Sequence, residues 1–344
     1  MTLRAAVVGC GRIGCGFDEE PQRGRVSTHA RAYVESRDID LVALVDLDPA
    51  KLERFSERFD VGGRYTDYEI MLRTEQPDLL SICTLSNSHL EIARAGVTHG
   101  VRGILCEKPI ADSLSAADAM IALCAEMGVA LLVGHQRRFD PLHLQASAYV
   151  RDGHLGRVQQ VTAYYTAGVA NTGTHLFDLL RLYLGDATWV QGRFSSNGAP
   201  NGDDPNIDGW IGFECGCVAA LQACDVRAYL LFEVHIIGEF GRLSLVNSGM
   251  DVVFQEIKDS NRFAGYRELV SAEPPVSIHS TRELLVNAVA HLVECLEKGR
   301  EPISGGRDGR AALEIVQALQ ASASLDSRRV DLPFSAETNS KKSR

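Results

Sequence analysis

The sequence predicts an α/β protein: an N-terminal doubly wound parallel sheet of the Rossmann kind, followed by an α+β domain whose open sheet is mostly antiparallel. Three observations predict it. Over residues 1–139 short apolar runs alternate with helix-period segments, and a glycine-rich turn directly follows the first of those runs. Beyond Phe139 the pattern changes to period-two segments punctuated by Gly and Asn. A chain of 344 residues exceeds the usual size of one hydrophobic core. We therefore expect a cofactor domain over 1–139, a second domain over 140–334 and a polar, mobile tail over 335–344.

The first strand is Arg4–Gly9, and the next helix begins near Thr28 after an insertion over Cys15–Ser27. Strands follow at Leu41–Asp46, Leu79–Thr84, Gly103–Cys106 and Ala130–Gly134. Between them Pro49–Phe59, Ser88–His99 and Ser115–Met127 carry amphipathic helix spacing, with Gly100 and Gly128 as stops. The second domain opens with a helix at Pro141–Arg151, a strand at Arg157–Tyr165 and a helix at Thr174–Leu184. Strands then dominate: Trp189–Ser195, Trp210–Cys224, Leu230–Ile237, Arg242–Val246 and Val252–Ile257. Two late helices, near Ser280–Lys298 and Gly309–Ser324, pack back on the body.

Composition narrows the partners. With 35 basic and 45 acidic side chains the net charge is −10, which argues against nucleic acid and against an anionic membrane surface. No apolar run approaches the roughly 20 residues that cross a bilayer, and the first residues lack the regions of a secretion signal. The nine cysteines, an odd count set mostly in apolar runs, read as free packing thiols. A cytoplasmic protein is the expectation. Cys215 and Cys217 alternate along an apparent strand without a second pair at metal-ligand spacing, so no metal site is expected.

The turn itself carries chemistry. In Gly9-Cys-Gly11-Arg12-Ile13-Gly14 the first glycine permits the tight turn, Gly11 lets the backbone approach a pyrophosphate, and Gly14 allows close packing. The amides of Arg12 and Ile13 belong to the same cradle. Asp46, ending the second strand, supplies a carboxylate for ribose hydroxyls and repels a 2′-phosphate, favouring NAD over NADP.

At Glu107-Lys108-Pro109 the chain resembles the Gfo/Idh/MocA family of sugar and cyclitol dehydrogenases. The glycine fingerprint, Glu-Lys-Pro, Gly134-His-Gln-Arg-Arg-Phe139, and Gly173-Thr-His175 with Asp178 carry the resemblance in order along nearly the whole chain. It implies a Rossmann domain, a C-terminal domain with an open antiparallel sheet, a substrate cleft between them, and dimers or tetramers built through that sheet. It also implies that Lys108 reaches the reacting hydroxyl and that Glu107 contacts the cofactor. His175 suits the hydroxyl proton, with Asp178 one helical turn on to orient the ring, while Lys108 polarises the alkoxide. Gln136 and Arg138 face cofactor or substrate; Tyr164, Tyr165 and Thr166 line a sugar pocket.

Two departures from the family pattern stand out. Asn171 occupies the position where an Asp is commonest, four residues before His175; it can bind a substrate hydroxyl but relays no proton. Thr84-Leu-Ser-Asn-Ser-His89 replaces a Thr-Pro-Asn segment, leaving Thr84, Ser86 and His89 as cofactor-cleft residues and His89 equally suited to a structural cap. The expected function is an NAD(P)-dependent dehydrogenase of a sugar, cyclitol or nucleotide-linked sugar. Two alternatives stay open: a non-catalytic nicotinamide-binding sensor, and an enzyme using tightly held NAD transiently for net elimination, hydrolysis or isomerisation.

Overall fold

The computed structural model describes residues 2–23, 26–198, 202–274, 280–281 and 283–334. In chain order the first elements are β1 (Leu3–Val8), α1 (His29–Val34), β2 (Ile39–Val45), α2 (Pro49–Phe59), β3 (Gly63–Tyr65), α3 (Tyr68–Glu75), β4 (Leu79–Ile82), α4 (His89–Thr98), β5 (Gly103–Cys106), α5 (Leu114–Glu126) and β6 (Ala130–Val133). Next come α6 (Pro141–Arg151), β7 (Val158–Tyr165), α7 (Thr174–Leu184), β8 (Ala187–Phe194), β9 (Ile207–Phe213), β10 (Val218–Ala223), β11 (Phe232–Gly238), β12 (Gly241–Val246), β13 (Asp251–Asp259) and β14 (Arg267–Ala272). The last are α8 (Leu284–Lys298), α9 (Gly306–Ser324) and the short β15 (Val330–Asp331).

Two compact units result, Met1–Asp140 with Thr281–Ala311, and Pro141–Ser280 with Ala312–Arg344. The first holds a six-stranded parallel sheet in the order β3-β2-β1-β4-β5-β6. Its central strands are mostly apolar, as strands covered on both faces tend to be: Ala5, Ala6, Val7, Leu79, Leu80 and Ile104 are fully buried. The strand order reverses between β1 and β4, and ligands bind such sheets at the carboxyl edge beside that point. Helix starts are set by side-chain caps: Thr28 accepts from Arg31 N–H, Asp48 from Ala50 N–H with Pro49 behind it, and Ser113 from Ala116 N–H.

The expected single boundary near 139 needs correction. Thr281–Ala311 returns to the first unit, because α8 buries Leu285, Ala288, Val289 and Leu292 in the core that also holds Leu79, Leu105 and Leu132. Amphipathic spacing announces a helix but not which core receives its apolar face.

The second unit holds a nine-stranded sheet, β14-β13-β12-β11-β7-β10-β9-β8-β15. Every pairing is antiparallel except β7 with β10, so the open, mostly antiparallel expectation holds. Trp210–Cys224, expected as one strand, is a hairpin: Gly216 turns the chain at φ +82°, and Cys215 and Cys217 sit in that turn rather than along a strand. β3, α3 and β14 are elements the periodicity did not show. The expected tail over 335–344, and residues 199–201 of the loop before β9, lie outside the described residues.

Candidate active site

The carboxyl edge of the parallel sheet gathers the chemistry. Gly9, at φ +99°, hydrogen-bonds through its N–H to the Val45 carbonyl at 2.8 Å, and a Cβ there would stand 2.6 Å from the Cys83 carbonyl oxygen. At Gly14 a Cβ would overlap the Gly9 carbonyl oxygen. Both glycines are demanded by the chain itself. Gly11 differs, because a Cβ there meets nothing within 4 Å. The chain therefore leaves open space beside Gly11, and the first amides of the helical turn Arg12–Gly16 have no partner within that turn.

Asp46 follows β2 and holds this turn. One carboxylate oxygen accepts from Cys10 N–H at 2.8 Å and the other from Asp48 N–H at 3.0 Å, with the Lys51 ammonium 3.7 Å away. Each oxygen keeps further acceptor capacity for a ribose hydroxyl. Ile13 is half-buried, packed on the core. Arg12 is exposed, paired with Glu20 at 3.1 Å and stacked 4.6 Å from the Phe17 ring centroid. Within the expected insertion over Cys15–Ser27, Phe17–Glu19 form a short helical turn, with Asp18 bonded to Thr28 at the cap of α1 and Glu19 paired with Arg54 and Arg58 of α2.

Thr84 shares a hydrogen bond with Ser88 at 2.8 Å, and Ser86 opens the short turn before α4. His89 is 1% exposed, its ring between the Thr84 and Ile110 carbonyls at 3.1 and 3.2 Å. Burial lowers its pKa, and the neutral ring has one N–H to give to these carbonyls, with Cys106 Sγ 3.3 Å from Nδ1. Lys108 is half-buried just beyond β5. Glu107 before it is 6% exposed, with one oxygen on His29 Nε2 at 3.0 Å and the other accepting from Lys108 N–H at 3.2 Å. Burial pushes this carboxyl upward, but His29 and the Lys108 ammonium prevail and hold it below the usual glutamate range. A Cβ on Gly134 would lie 2.6 Å from the Glu107 carboxylate, so the glycine opening the loop after β6 leaves room for that group. Gln136 is half-buried in the turn Gln136–Phe139.

In the second unit His175 is half-buried in the first turn of α7, and Asp178 is buried one turn on, inside the helix rather than opening it. Asn171 is exposed in the turn Val169–Gly173. Asp204, which sequence reasoning missed, builds that turn by accepting from Ala170 N–H and Asn171 N–H, both at 2.8 Å. Asn206 beside it accepts from Gly168 N–H at 2.9 Å.

Two substrate-binding expectations change. Tyr165 is fully buried, its hydroxyl accepting from Ile207 N–H at 2.8 Å and donating to the Ile207 carbonyl at 2.9 Å, so it joins β7 to β9 in the core. Arg138 is 7% exposed and spans the Ile303 carbonyl at 3.0 Å and Asp308 at 3.1 Å, tying its loop to the returning segment. His29 was also missed. Its only local signal was a histidine directly after a helix cap, and the insertion had moved it away from the glycines.

A sequence model described as oxidoreductase family, NAD-binding Rossmann fold, matches residues 3–135. Its companion, the family's C-terminal alpha/beta domain, matches residues 151–332. The chain belongs to the Gfo/Idh/MocA oxidoreductase family. It is an enzyme, a nicotinamide-dependent dehydrogenase with NAD as its cofactor. D-apiose dehydrogenase of Paraburkholderia graminis is 30% identical, over 93% of this chain and 88% of that protein. Inositol 2-dehydrogenase of Rhizobium meliloti is 27% identical, over 92% and 96%. A solved levoglucosan dehydrogenase in complex with NADH shares the fold at TM-score 0.80 and 18% identity, over 97% of this chain and all of that one. No helix among the described residues is long and apolar enough to cross a membrane.

Proposed function

We propose that this family member oxidises a secondary hydroxyl of a sugar, cyclitol or nucleotide-linked sugar, with His175 taking the hydroxyl proton and Lys108 stabilising the developing alkoxide. The observation that carries the reading is the convergence of the Gly9–Gly14 turn, Asp46 and the Glu107-Lys108 pair at the carboxyl edge of one parallel sheet. Relatives that match nearly the whole chain are named for polyhydroxylated substrates, D-apiose and inositol, which supports a polyol.

Gly9, Gly11, Arg12, Ile13 and Gly14 would receive the pyrophosphate, and Asp46 the adenosine ribose. Thr84, Ser86, Glu107 and Gln136 would line the nicotinamide half, with His89 positioning the Thr84 loop. NAD, when bound, supplies the hydride acceptor. A secondary alcohol gives up its proton as the carbonyl forms, and an imidazole suits that transfer at neutral pH. The Lys108 cation would lower the energy of charge developing on oxygen. Asn171 would donate or accept at a neighbouring hydroxyl, on a backbone fixed by Asp204, and Asp178 would stay within α7 behind His175. The protein would work in the cytosol as a homodimer or homotetramer.

The test is NADH formation with a panel that includes myo-inositol, D-apiose and nucleotide-linked sugars, under both NAD and NADP. Turnover on a polyol with preference for NAD supports the reading. Tight NAD binding with no NADH from any panel member would overturn it. Light scattering across a dilution series checks the oligomer, and a monomer at all concentrations would refute that part.

A further inference from the structure

Behind Glu107 lies a hydrogen-bonded chain that the proposed chemistry does not use. His29 is 0% exposed; its Nε2 lies 3.0 Å from Glu107 and its Nδ1 2.9 Å from Ser81 Oγ. Ser81, also fully buried, lies 2.9 Å from the Tyr33 hydroxyl. We propose that His29 is a positioning residue of this dehydrogenase, holding the Glu107 carboxylate in the one orientation that sets the Glu107-Lys108 segment for hydride transfer. This rests on the role given to Lys108 above.

Proton bookkeeping narrows what the chain can do. A carboxylate only accepts, so Nε2 carries the hydrogen in that contact. The Nδ1 contact works with either proton arrangement, since the Ser81 hydroxyl can turn toward the ring or toward Tyr33. The chain ends at Tyr33, a phenol with no exposure whose pKa burial raises. A wire that ends in the core carries no proton to water or substrate. What it can do is fix the rotation of an imidazole and, through it, of a carboxylate, as the carboxylate of a catalytic triad fixes its histidine.

The surroundings are built for that task. Gly134 leaves no side chain in the space the carboxylate occupies, and Lys108 N–H holds the oxygen that His29 does not. The other titratable groups acting on Glu107 are the Lys108 ammonium, His89, and the buried thiols Cys83 and Cys106. His29 is the neutral or positive donor among them that approaches from outside the 106–110 segment and its His89 tie. Its place at the head of α1 is secured by Thr28, which caps the helix and bonds Asp18 of the insertion.

The experiment uses the full chain as wild type, His29→Leu, His29→Gln, Glu107→Gln and the double variant His29→Leu/Glu107→Gln. Infrared difference spectra over a pH series should show the Glu107 protonated-carboxyl stretch appearing at higher pH in His29→Leu than in wild type, a band that the double variant lacks. With NAD and a polyol turned over by wild type, His29→Leu and Glu107→Gln should each lose roughly 100-fold in kcat with little change in KM for the polyol. The double variant should be no worse than either, and His29→Gln, which keeps a donor, should recover most of the loss. A folded His29→Leu with wild-type kcat and a carboxyl band that appears at the same pH as in wild type would overturn the proposal, as would losses that multiply in the double variant. Should His29→Leu fail to fold, Ser81→Ala removes only the rear anchor and should lower kcat in the same direction; unchanged kcat there would count against it. If wild type oxidises no polyol, the functional reading fails while the infrared arm still decides whether His29 governs Glu107.

Discussion

Replacing Gly11 with alanine separates what the fold requires of the glycine turn from what a ligand requires. The added methyl meets nothing within 4 Å, and the backbone there, φ −72° and ψ −162°, is open to any residue. A Gly→Ala change at such a position restricts the unfolded chain and stabilises by about 0.4–1 kcal/mol. For a unit of this size that is a melting temperature raised by roughly 1–4 °C. The methyl would, however, occupy the approach left for a pyrophosphate, and NAD affinity should fall at least about tenfold, or 1.4 kcal/mol. Gly14→Ala is the control, since its Cβ would overlap the Gly9 carbonyl oxygen. It should cost about 1–3 kcal/mol or more in stability. Calorimetric melting and NAD titration of both variants decide the matter. Gly11→Ala binding NAD like wild type, or melting as low as Gly14→Ala, would refute the reasoning.

Other consequences can be measured alongside. Asp46→Ala strips the acceptor from Cys10 and Asp48 N–H. It should lower stability by about 1–3 kcal/mol in denaturant titrations and weaken NAD more than NADP. Lys108→Ala and His175→Ala should each lower kcat by roughly 100- to 10,000-fold while NAD titrations stay near wild type. Glu107 binds its proton less tightly folded than unfolded, so its contribution is present above the ordinary glutamate pKa and lost as pH falls through the lower folded value. Acid-unfolding curves of Glu107→Gln should therefore be shallower across that window, and curves parallel to wild type would contradict the His29 and Lys108 contacts. Tyr165→Phe loses a bond pair to the Ile207 backbone. It should destabilise by about 1–3 kcal/mol with unchanged KM for substrate, as a core residue would.

The geometry of the glycine turn was legible because its constraints are local. A strand running into spaced glycines determines its own geometry, and the structure finds two of the three glycines demanded by neighbouring carbonyls. The place of Glu107 and Lys108 at a strand end was legible because a short motif follows a buried strand. Tyr165 was misjudged for the opposite reason: period-two alternation separates the faces of a strand without saying which face meets the core, and this tyrosine's hydroxyl found its partner inside. His29 and Asp204 escaped because each acts across a distance the sequence does not encode, 78 residues to Glu107 and 33 to Asn171. The return of α8 to the first unit escaped likewise, since an apolar stripe does not name the core that receives it.

Transfer of deuterium tests the central claim most directly. Wild-type protein is incubated with NAD and a polyol labelled at its carbinol carbons, and the nicotinamide ring is then analysed by mass spectrometry and NMR. The account predicts label on C4 of the ring, lost in Lys108→Ala and His175→Ala but not in Tyr165→Phe. Bound NAD that never acquires label from any polyol of the panel would contradict it.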